Sequence, residues 1–336
     1  MPSDDGAIES IVGYIEKKQC ILFLGSGVHY TPPNDVLYDY PDEKRPPVGS
    51  ELSDKLAEKC DLVKNYPKEQ GKDTRLDRVS LYFEKDRGRR PLVQEIKDQV
   101  TIGKEPSPAL CALAEMDFPL VITTNYDKLF EQALNRAGKH PYVGVYNERG
   151  DTPTDDFQDF SHERPFVFKI HGDIDKPDSI VITDEDYIQF VLRMSSFKEG
   201  DYHPVPETIR YQFKRWPTLF IGYSLMDYNL RLLFKTLRWK VGPATMPETF
   251  SVDPFPDPLI FDVWYSQRRY TTFISQDVWH FVPNLYKRLY GKDMPGKLKA
   301  KKGAAKAAPK SAAKVPKAPK QKGGARAATG RGKKAR

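Results

Sequence analysis

Four short apolar runs in this chain end in the same way. CILFLGSG (Cys20–Gly27), VITTNYD (Val121–Asp127), FKIHGD (Phe168–Asp173) and LFIGYS (Leu219–Ser224) pass through aliphatic and aromatic residues and then stop in small or polar groups. Strands of this kind are buried on both faces, and such strands belong to parallel sheets covered by helices. Segments of helical periodicity follow the second and third runs, DKLFEQALNRAG and DEDYIQFVLRM, which completes a βαβ alternation. The predicted fold is α/β: a Rossmann-like, mostly parallel sheet with helices on both faces. In open sheets of this type ligands bind outside the carboxyl ends of the strands, where each run delivers its polar residues.

The rest of the chain is arranged around these runs. A helix is expected over 7–18, ahead of the first strand. The segment HYTPPNDVLYDYPDEKRPP within 28–49 reads as a long ordered loop or lid. Residues 50–104, charged with apolar positions at helical spacing, read as an inserted helical module, with Ser50 a candidate cap. The piece SIVIT follows the third run. A helix over LMDYNLRLLFKTLRWK follows the fourth, and the strand-like PLIFDVWY and TTFIS and a helix PNLYKRLYG close the domain at about 295. From 296 to 336 the composition changes to Lys, Ala, Pro and Gly, too poor in apolar side chains to offset the entropy of ordering, so this basic tail is expected to be disordered. The formal charge of +7 hides the contrast: residues 297–336 contribute +15 with no acid, leaving −8 on the 296 residues before them. Cys20, Cys60 and Cys111 form no CxxC pair, which excludes a local four-thiolate zinc site and any disulfide framework. The acidic amino terminus is unlike a signal peptide and no apolar run approaches a membrane span, so a cytoplasmic location is expected.

The strand ends hold the candidate site. Gly25 and Gly27, with Ser26 between them, stand at a turn where glycines let backbone N–H groups approach a diphosphate. Tyr30 occupies the third glycine position of a GxGxxG fingerprint, so a plain tight turn is an equal reading. Asn125 and Asp127 are both favoured helix caps. Capping accounts for only one of them, and together with Thr124 they also suit a ribose. His171 beside Gly172 is either a packed ring or a proton acceptor titrating near working pH. Gly222 and Ser224 end the fourth run, Ser224 as a cap or a ribose ligand.

In order, LGSGV, TTNYD, KIHGD and IGYSL resemble the glycine turn, TxNxD segment, HG strand end and GxS segment of the sirtuin family, over roughly residues 8–295. VITDEDYIQF and GYSLMDYNL resemble a bacterial sirtuin-like subfamily. Protein-deacylating sirtuins carry two cysteine pairs after the HG strand, whereas this chain has no cysteine after Cys111. The resemblance is therefore to the sirtuin-like NAD hydrolases of bacterial antiphage defence. It implies that residues 1–295 are an NAD-binding catalytic domain that cleaves NAD, as substrate and without a metal, to nicotinamide and ADP-ribose in an abortive-infection response. It also implies the roles. Asn125 holds the attacking water and the nicotinamide ribose, and His171 is the general base. Gly25, Ser26 and Gly27 take the diphosphate, Thr124 and Asp127 support the ribose pocket, and Gly222 and Ser224 face the adenosine half. An ungated enzyme of this kind would poison its host, so control by self-association or a second protein is expected; a HerA-like ATPase or a short Argonaute is the partner the resemblance implies. Two other readings stay open: an NAD-dependent protein deacylase or ADP-ribosyltransferase, and a non-enzymatic NAD or ADP-ribose module tethered to nucleic acid by its tail.

The tail has its own consequence. It reads equally as a solubilising segment or as a nucleic-acid contact; in the second reading, with no aromatic side chain to stack on bases, its attraction to nucleic acid is electrostatic and independent of sequence. If roughly eight phosphates are neutralised, log affinity falls with log salt at a slope near −7 on B-DNA. Electrophoretic shifts of full-length and tail-deleted protein on two unrelated duplexes across a salt series measure this; equal weak binding by both proteins would remove the tail from nucleic-acid contact.

Overall fold

Side-chain parity along the strands decides how the sheet is covered. A computed structural model describes residues 4–61, 75–146, 160–195, 205–223, 246–259, 271–296 and 298–299. Its strands are β1 (Ile21–Leu24), β2 (Leu120–Thr123), β3 (Tyr142–Val145), β4 (Phe166–Lys169), β5 (Thr218–Ile221), β6 (Thr249–Val252) and β7 (Thr271–Ile274). They pair in parallel throughout, in the order β3-β4-β2-β1-β5-β6-β7. Alternate residues leave opposite faces. Leu22, Leu24, Val121, Val167, Leu219 and Ile221 enter one core, while Ile21, Phe23, Leu120, Ile122, Phe166, Phe168 and Phe220 enter the other. Each such side chain, fully buried, contributes about 1.5–3 kcal/mol.

The first core is closed by α1 (Asp4–Glu16), by helices Pro108–Glu115 and Leu129–Arg136, and by the final helix Val278–Tyr290. The second is closed by helices Asp184–Ser195 and Glu207–Phe213. Between β1 and β2 lie α2 (Gly49–Lys59), α3 (Leu76–Arg87) and α4 (Arg89–Thr101), which share a third cluster with Tyr126, Ile174, Ile180 and Ile182. In chain order the remaining helices are α5 (Pro108–Glu115), α6 (Leu129–Arg136), α7 (Asp184–Ser195), α8 (Glu207–Phe213) and α9 (Val278–Tyr290).

Local chemistry sets the helix boundaries. Ser107 accepts the Leu110 N–H at 3.0 Å, with Pro108 at the first position of α5. α9 begins earlier than the expected PNLYKRLYG because Asp277 takes the N–H groups of Trp279 and His280, which carries Pro283 inside the helix. Ser50 lies inside α2 and is not its cap; the carboxylate of Glu51 accepts the Val48 N–H instead. The edge strand β3 and the short β6 extend the sheet beyond the expected strands. SIVIT is buried without joining the sheet. Ser224 and the helix expected after it lie outside the described residues, as does PLIFDVWY beyond Leu259.

The loop 28–49 is tied down at both ends. Trp279 Nε1 donates to Tyr30 O (2.8 Å), and Tyr40 Oη donates to Glu105 O (2.9 Å). Leu298 bridges Tyr38, and the Lys299 N–H donates to Leu37 O at 2.6 Å. The first residues of the expected tail are thus fixed on this loop, and a tail deletion that spares the contact begins at Ala300; residues from 300 onward lie outside the described residues. The three cysteines are free, and burial raises the Cys20 thiol pKa, as expected of a packing residue. Among the described residues no helix is long and apolar enough to cross a membrane.

Candidate active site

The register of the sheet brings the four motifs to one edge. Leu24 pairs with both Thr123 and Ile221, and Thr123 pairs with Lys169. The next residue on each strand, Gly25, Thr124, Ile170 and Gly222, therefore lies beside its neighbours. Outside this edge a cavity of about 1440 Å³ is lined by Ser26, Gly27, Thr124, Asn125, Asp127, His171 and Gly222, and also by His29. Loop 28–49, the inserted helices α2–α4, α7, the segment after β6 and the start of α9 contribute the other walls.

The glycine turn is a 3₁₀ turn, Ser26–His29, rather than the start of an α-helix. The Gly25 N–H bonds Ile221 O (3.0 Å) and the Gly27 N–H bonds Gly222 O (2.8 Å). Gly222 has φ +70°, and a Cβ there would lie 2.2 Å from the Val28 nitrogen. These glycines answer to a close backbone approach between the β1 and β5 ends. The N–H groups of Gly25 and Gly27 are committed to it, and Ser26 and Gly27 border the cavity.

The TTNYD segment is held by its own side chains and by a buried lysine. Thr123 Oγ1 donates to Leu24 O and accepts the Asn125 N–H, both at 3.1 Å. The Asn125 amide nitrogen faces Gly25 O at 3.4 Å, while its Oδ1 is buried without a hydrogen-bond partner among the described residues. Asp127 Oδ1 accepts the Leu129 N–H at 2.9 Å, so Asp127, not Asn125, opens α6; its Oδ2 stands 3.3 Å from His29 Nε2. Burial alone would raise the Asp127 carboxyl, but the His29 ring, Lys169 and the Leu129 N–H outweigh it and hold it below its ordinary value. Lys169, fully buried at the end of β4, donates to the carbonyls of Tyr126 and Asp127 and pairs with Asp173 (2.8 Å) and Glu131 (3.3 Å). Tyr126, which also borders the cavity, donates its hydroxyl to Val181 O at 2.8 Å.

His171 is 4% exposed, with Tyr187 and Phe190 edge-on to its ring at centroid distances of 5.3 and 5.4 Å. Burial lowers its pKa from 6.5 to about 3, so the ring is neutral and does not titrate near working pH as expected from its type. The space beside it at Gly172 (φ +95°) is occupied: a Cβ there would lie 2.2 Å from Ser179 O. Across the cavity, burial and the neighbouring Asp77 push Asp184 up to about 6, with Arg75 at 3.2 Å from Asp77 and 3.6 Å from Asp184. His29 and Lys169 went unnoticed as site residues in the sequence. Their signals are a histidine within the glycine-turn motif and a lone charge at the end of an otherwise apolar strand. Among the described residues no group of three His, Cys, Asp or Glu side chains could hold a metal ion.

With this geometry in place the relationships are specific. Residues 119–273 match the family described as a SIR2-like domain. That SIR2-like match covers slightly under half of the chain. It is 27% identical over 234 residues to NAD(+) hydrolase ThsA of Acinetobacter baumannii (strain 532279), covering 69% of this chain and 42% of that protein. It is 31% identical over 180 residues to NAD(+) hydrolase ThsA of Enterococcus faecium, covering 52% and 34%. It is 25% identical over 262 residues to Defense-associated sirtuin 2 of Bacillus subtilis, covering 76% and 23%. The chain thus spans less than half the length of each of these relatives. A Sir2 chain bound to acetylated peptide aligns over 84% of this chain and 98% of its own at 15% identity and a TM-score of 0.35, which adds nothing to what the sheet order establishes.

Two outcomes follow for this site. Lys169→Met should cost about 3–5 kcal/mol, since it strands buried Asp173 and leaves two carbonyls unbonded. Adding Asp173→Asn should recover part of that loss, and urea unfolding measures both; a loss no larger than that of a surface substitution would show that the network does not hold the loops. His171 sets a pH dependence. Its folded pKa lies below its unfolded value, so between about 3 and 6.5 the unfolded chain binds the extra proton. Its stabilising contribution is complete above that window and is lost as pH falls through it. The difference in unfolding free energy between wild type and His171→Gln should therefore change across this window and be flat above it.

Proposed function

We propose that this chain hydrolyses the nicotinamide–ribose bond of NAD, releasing nicotinamide and ADP-ribose, as a gated NAD-depleting effector of antiphage defence. The observation that carries the reading is the buried, unpaired Oδ1 of Asn125 in the same cavity as a neutral His171. A lone buried acceptor is costly unless a ligand donates to it, and a ribose hydroxyl or a water is a donor of the required size. The cavity, about 1440 Å³, exceeds the roughly 300–1,000 Å³ of pockets for drug-sized ligands and has room for a dinucleotide. Two of the relatives named above are NAD(+) hydrolases.

Cleavage develops positive charge at the ribose anomeric carbon as the nicotinamide leaves. Asn125 Oδ1 orients the water or the ribose hydroxyl, which supplies the proximity that such a reaction needs. His171, held neutral by burial, accepts a hydrogen bond from a ribose hydroxyl or the water. Ser26 and Gly27 face the diphosphate, Thr124 borders the ribose, and Gly222 borders the adenosine half, with Ser224 assigned there by resemblance alone. Asp127 serves the pocket indirectly, because both carboxylate oxygens already have partners. Gating by self-association or by a second protein, of which a HerA-like ATPase or a short Argonaute is the type, belongs to the same proposal, as does nucleic-acid contact through residues 297–336.

Incubation with NAD alone tests the reading by chromatography of nicotinamide and ADP-ribose. Wild type should yield both in equal amounts, and His171→Ala should turn over about 10²–10⁴-fold more slowly. Asn125→Ala should also lose activity with little change in melting temperature, because the Asn125 side chain caps no helix. NAD bound but intact across a protein-concentration series that spans self-association, with and without a candidate partner, would establish a binding module, and cleavage only in the presence of an acylated peptide would establish a deacylase.

A further inference from the structure

The residue at the end of the glycine turn has no part in the roles set out above, yet it lies at their centre. His29 is 1% exposed and borders the cavity. Its Nε2 is 3.3 Å from Asp127 Oδ2 and 3.5 Å from the amide nitrogen of Asn125, so one ring touches both Asn125 and Asp127. The ring has little freedom to move. Before it, the turn is bonded to the β5 end through Gly27 and Gly222 and closed by the Val28 N–H on Gly25 O (3.2 Å). After it, Tyr30 donates its N–H to Gly27 O (3.2 Å) and accepts the indole N–H of Trp279 (2.8 Å).

The pairing settles the ring's proton. An ionised carboxylate only accepts hydrogen bonds, so the nitrogen facing Asp127 is the protonated one. Nε2–H is therefore directed to Asp127 and is not free to accept from the Asn125 amide, whose nitrogen is left facing Gly25 O at 3.4 Å. The other ring nitrogen, Nδ1, is buried without a partner among the described residues. A histidine kept only for packing would need no carboxylate and would not need to contact the amide.

We infer that His29 is a positioning residue of this site, fixing Asp127 and the Asn125 amide relative to each other through one ring. The inference rests on the reading of the site as an NAD hydrolase and assigns this residue a role within it. In the reaction His29 acts through Asn125: it forms the wall against which the amide is held, so that Oδ1 stays presented to the water or ribose hydroxyl. A misplacement of about 1 Å can cost on the order of 10²-fold in rate. The expected defect is therefore in kcat, with KM little changed.

The test compares full-length wild type, His29→Leu, His29→Gln, Asp127→Asn and the double variant His29→Leu/Asp127→Asn, by NAD turnover and by melting. His29→Leu should lower kcat about 10²-fold, and His29→Gln, which keeps an N–H able to reach Asp127, should recover a large part of it. Asp127→Asn should give a similar loss. The double variant should lose no more than the worse single one, since residues that act as a unit are not additive; it also removes the unpaired buried carboxylate that could unfold His29→Leu. Equal kinetics for the Leu and Gln variants, wild-type kcat in His29→Leu, or losses that multiply in the double variant would each overturn the assignment. Failure of the hydrolase reading is separate and shows as intact NAD with wild type. In that event nitrogen-15 imidazole spectra still decide: an Nε2-bound proton protected in wild type and lost in Asp127→Asn supports the pairing, and identical spectra refute it.

Discussion

A single ammonium group holds the two loops that make this site. Lys169 sits at the last position of β4, fully buried, and reaches across to the carbonyls of Tyr126 and Asp127 beyond the end of β2. Its charge is met by Asp173, four residues on in its own loop, and by Glu131 on α6. Taking an ammonium out of water costs several kcal/mol, and only a full set of partners offsets it. Here the partners are the elements that must be fixed: the segment carrying Asn125, the loop carrying His171, and the first turn of the helix between them. The Ile170 N–H on Thr123 O (2.9 Å) and the Ile174 N–H on Tyr126 O (3.2 Å) add backbone bonds to the same joint. Packing alone could hold these loops, but an apolar side chain would leave the carbonyls of two turning loops unbonded.

Around that joint the fold leaves few alternatives. Each strand spans four residues, so the turning backbone comes within one residue of the pairing register and the four loops emerge side by side. Close approach between the β1 and β5 ends then requires glycine at 222 and a tight turn at 25–28, and that turn delivers His29 to Asp127. The inserted helices are coupled to the same edge. Arg89 of α4 donates to Ile180 O (2.6 Å) and pairs with Asp186 of α7 (2.8 Å), while Tyr126 is buried against Ile174, Ile180 and Ile182. The segment over Gly172 is thus packed between the module and the sheet, with His171 beneath it.

The sequence was informative where one physical requirement dominates. Two-sided burial makes β1, β2, β4 and β5 continuous apolar runs, and the abrupt change to polar residues marks their carboxyl ends; the α/β class and the edge that carries the site follow from those two signals. β3 and β6 lack them. In Tyr142–Val145 the burial of an edge strand is partial, and Thr249–Val252 interleaves Thr and Ser with Phe and Val, a pattern that loops share. The start of α9 was hidden by Pro283, which reads as a first-turn residue until the Asp277 cap is known to lie upstream. Contacts between loops distant in sequence were not legible. Lys169 and His29 are defined by what approaches from elsewhere, as is the burial that changes His171 from a group titrating near neutrality to one held neutral.

The charged groups of the site already have hydrogen-bond or ionic partners before any ligand arrives, which bears on the reaction proposed. Asp127 is met by His29, Asp173 is met by Lys169, and burial raises the Glu131 carboxyl pKa against the nearby ammonium. His171 is neutral. What remains for a ligand at the strand ends is a set of dipoles, chiefly the free Oδ1 of Asn125 and the Ser26 turn. NAD brings its positive charge on the nicotinamide ring and loses it there on cleavage, as positive character moves to the ribose. A bare carboxylate beside both positions would stabilise the ground state and the transition state alike, and uniform binding of that kind does not raise kcat. A carboxylate already paired by an imidazole, with an oriented amide oxygen in front of it, favours the position where charge appears over the one it leaves. In that arrangement the amide requires exact placement rather than charge, which places the burden on the residues that hold it: Thr123, Gly25, Lys169 and His29.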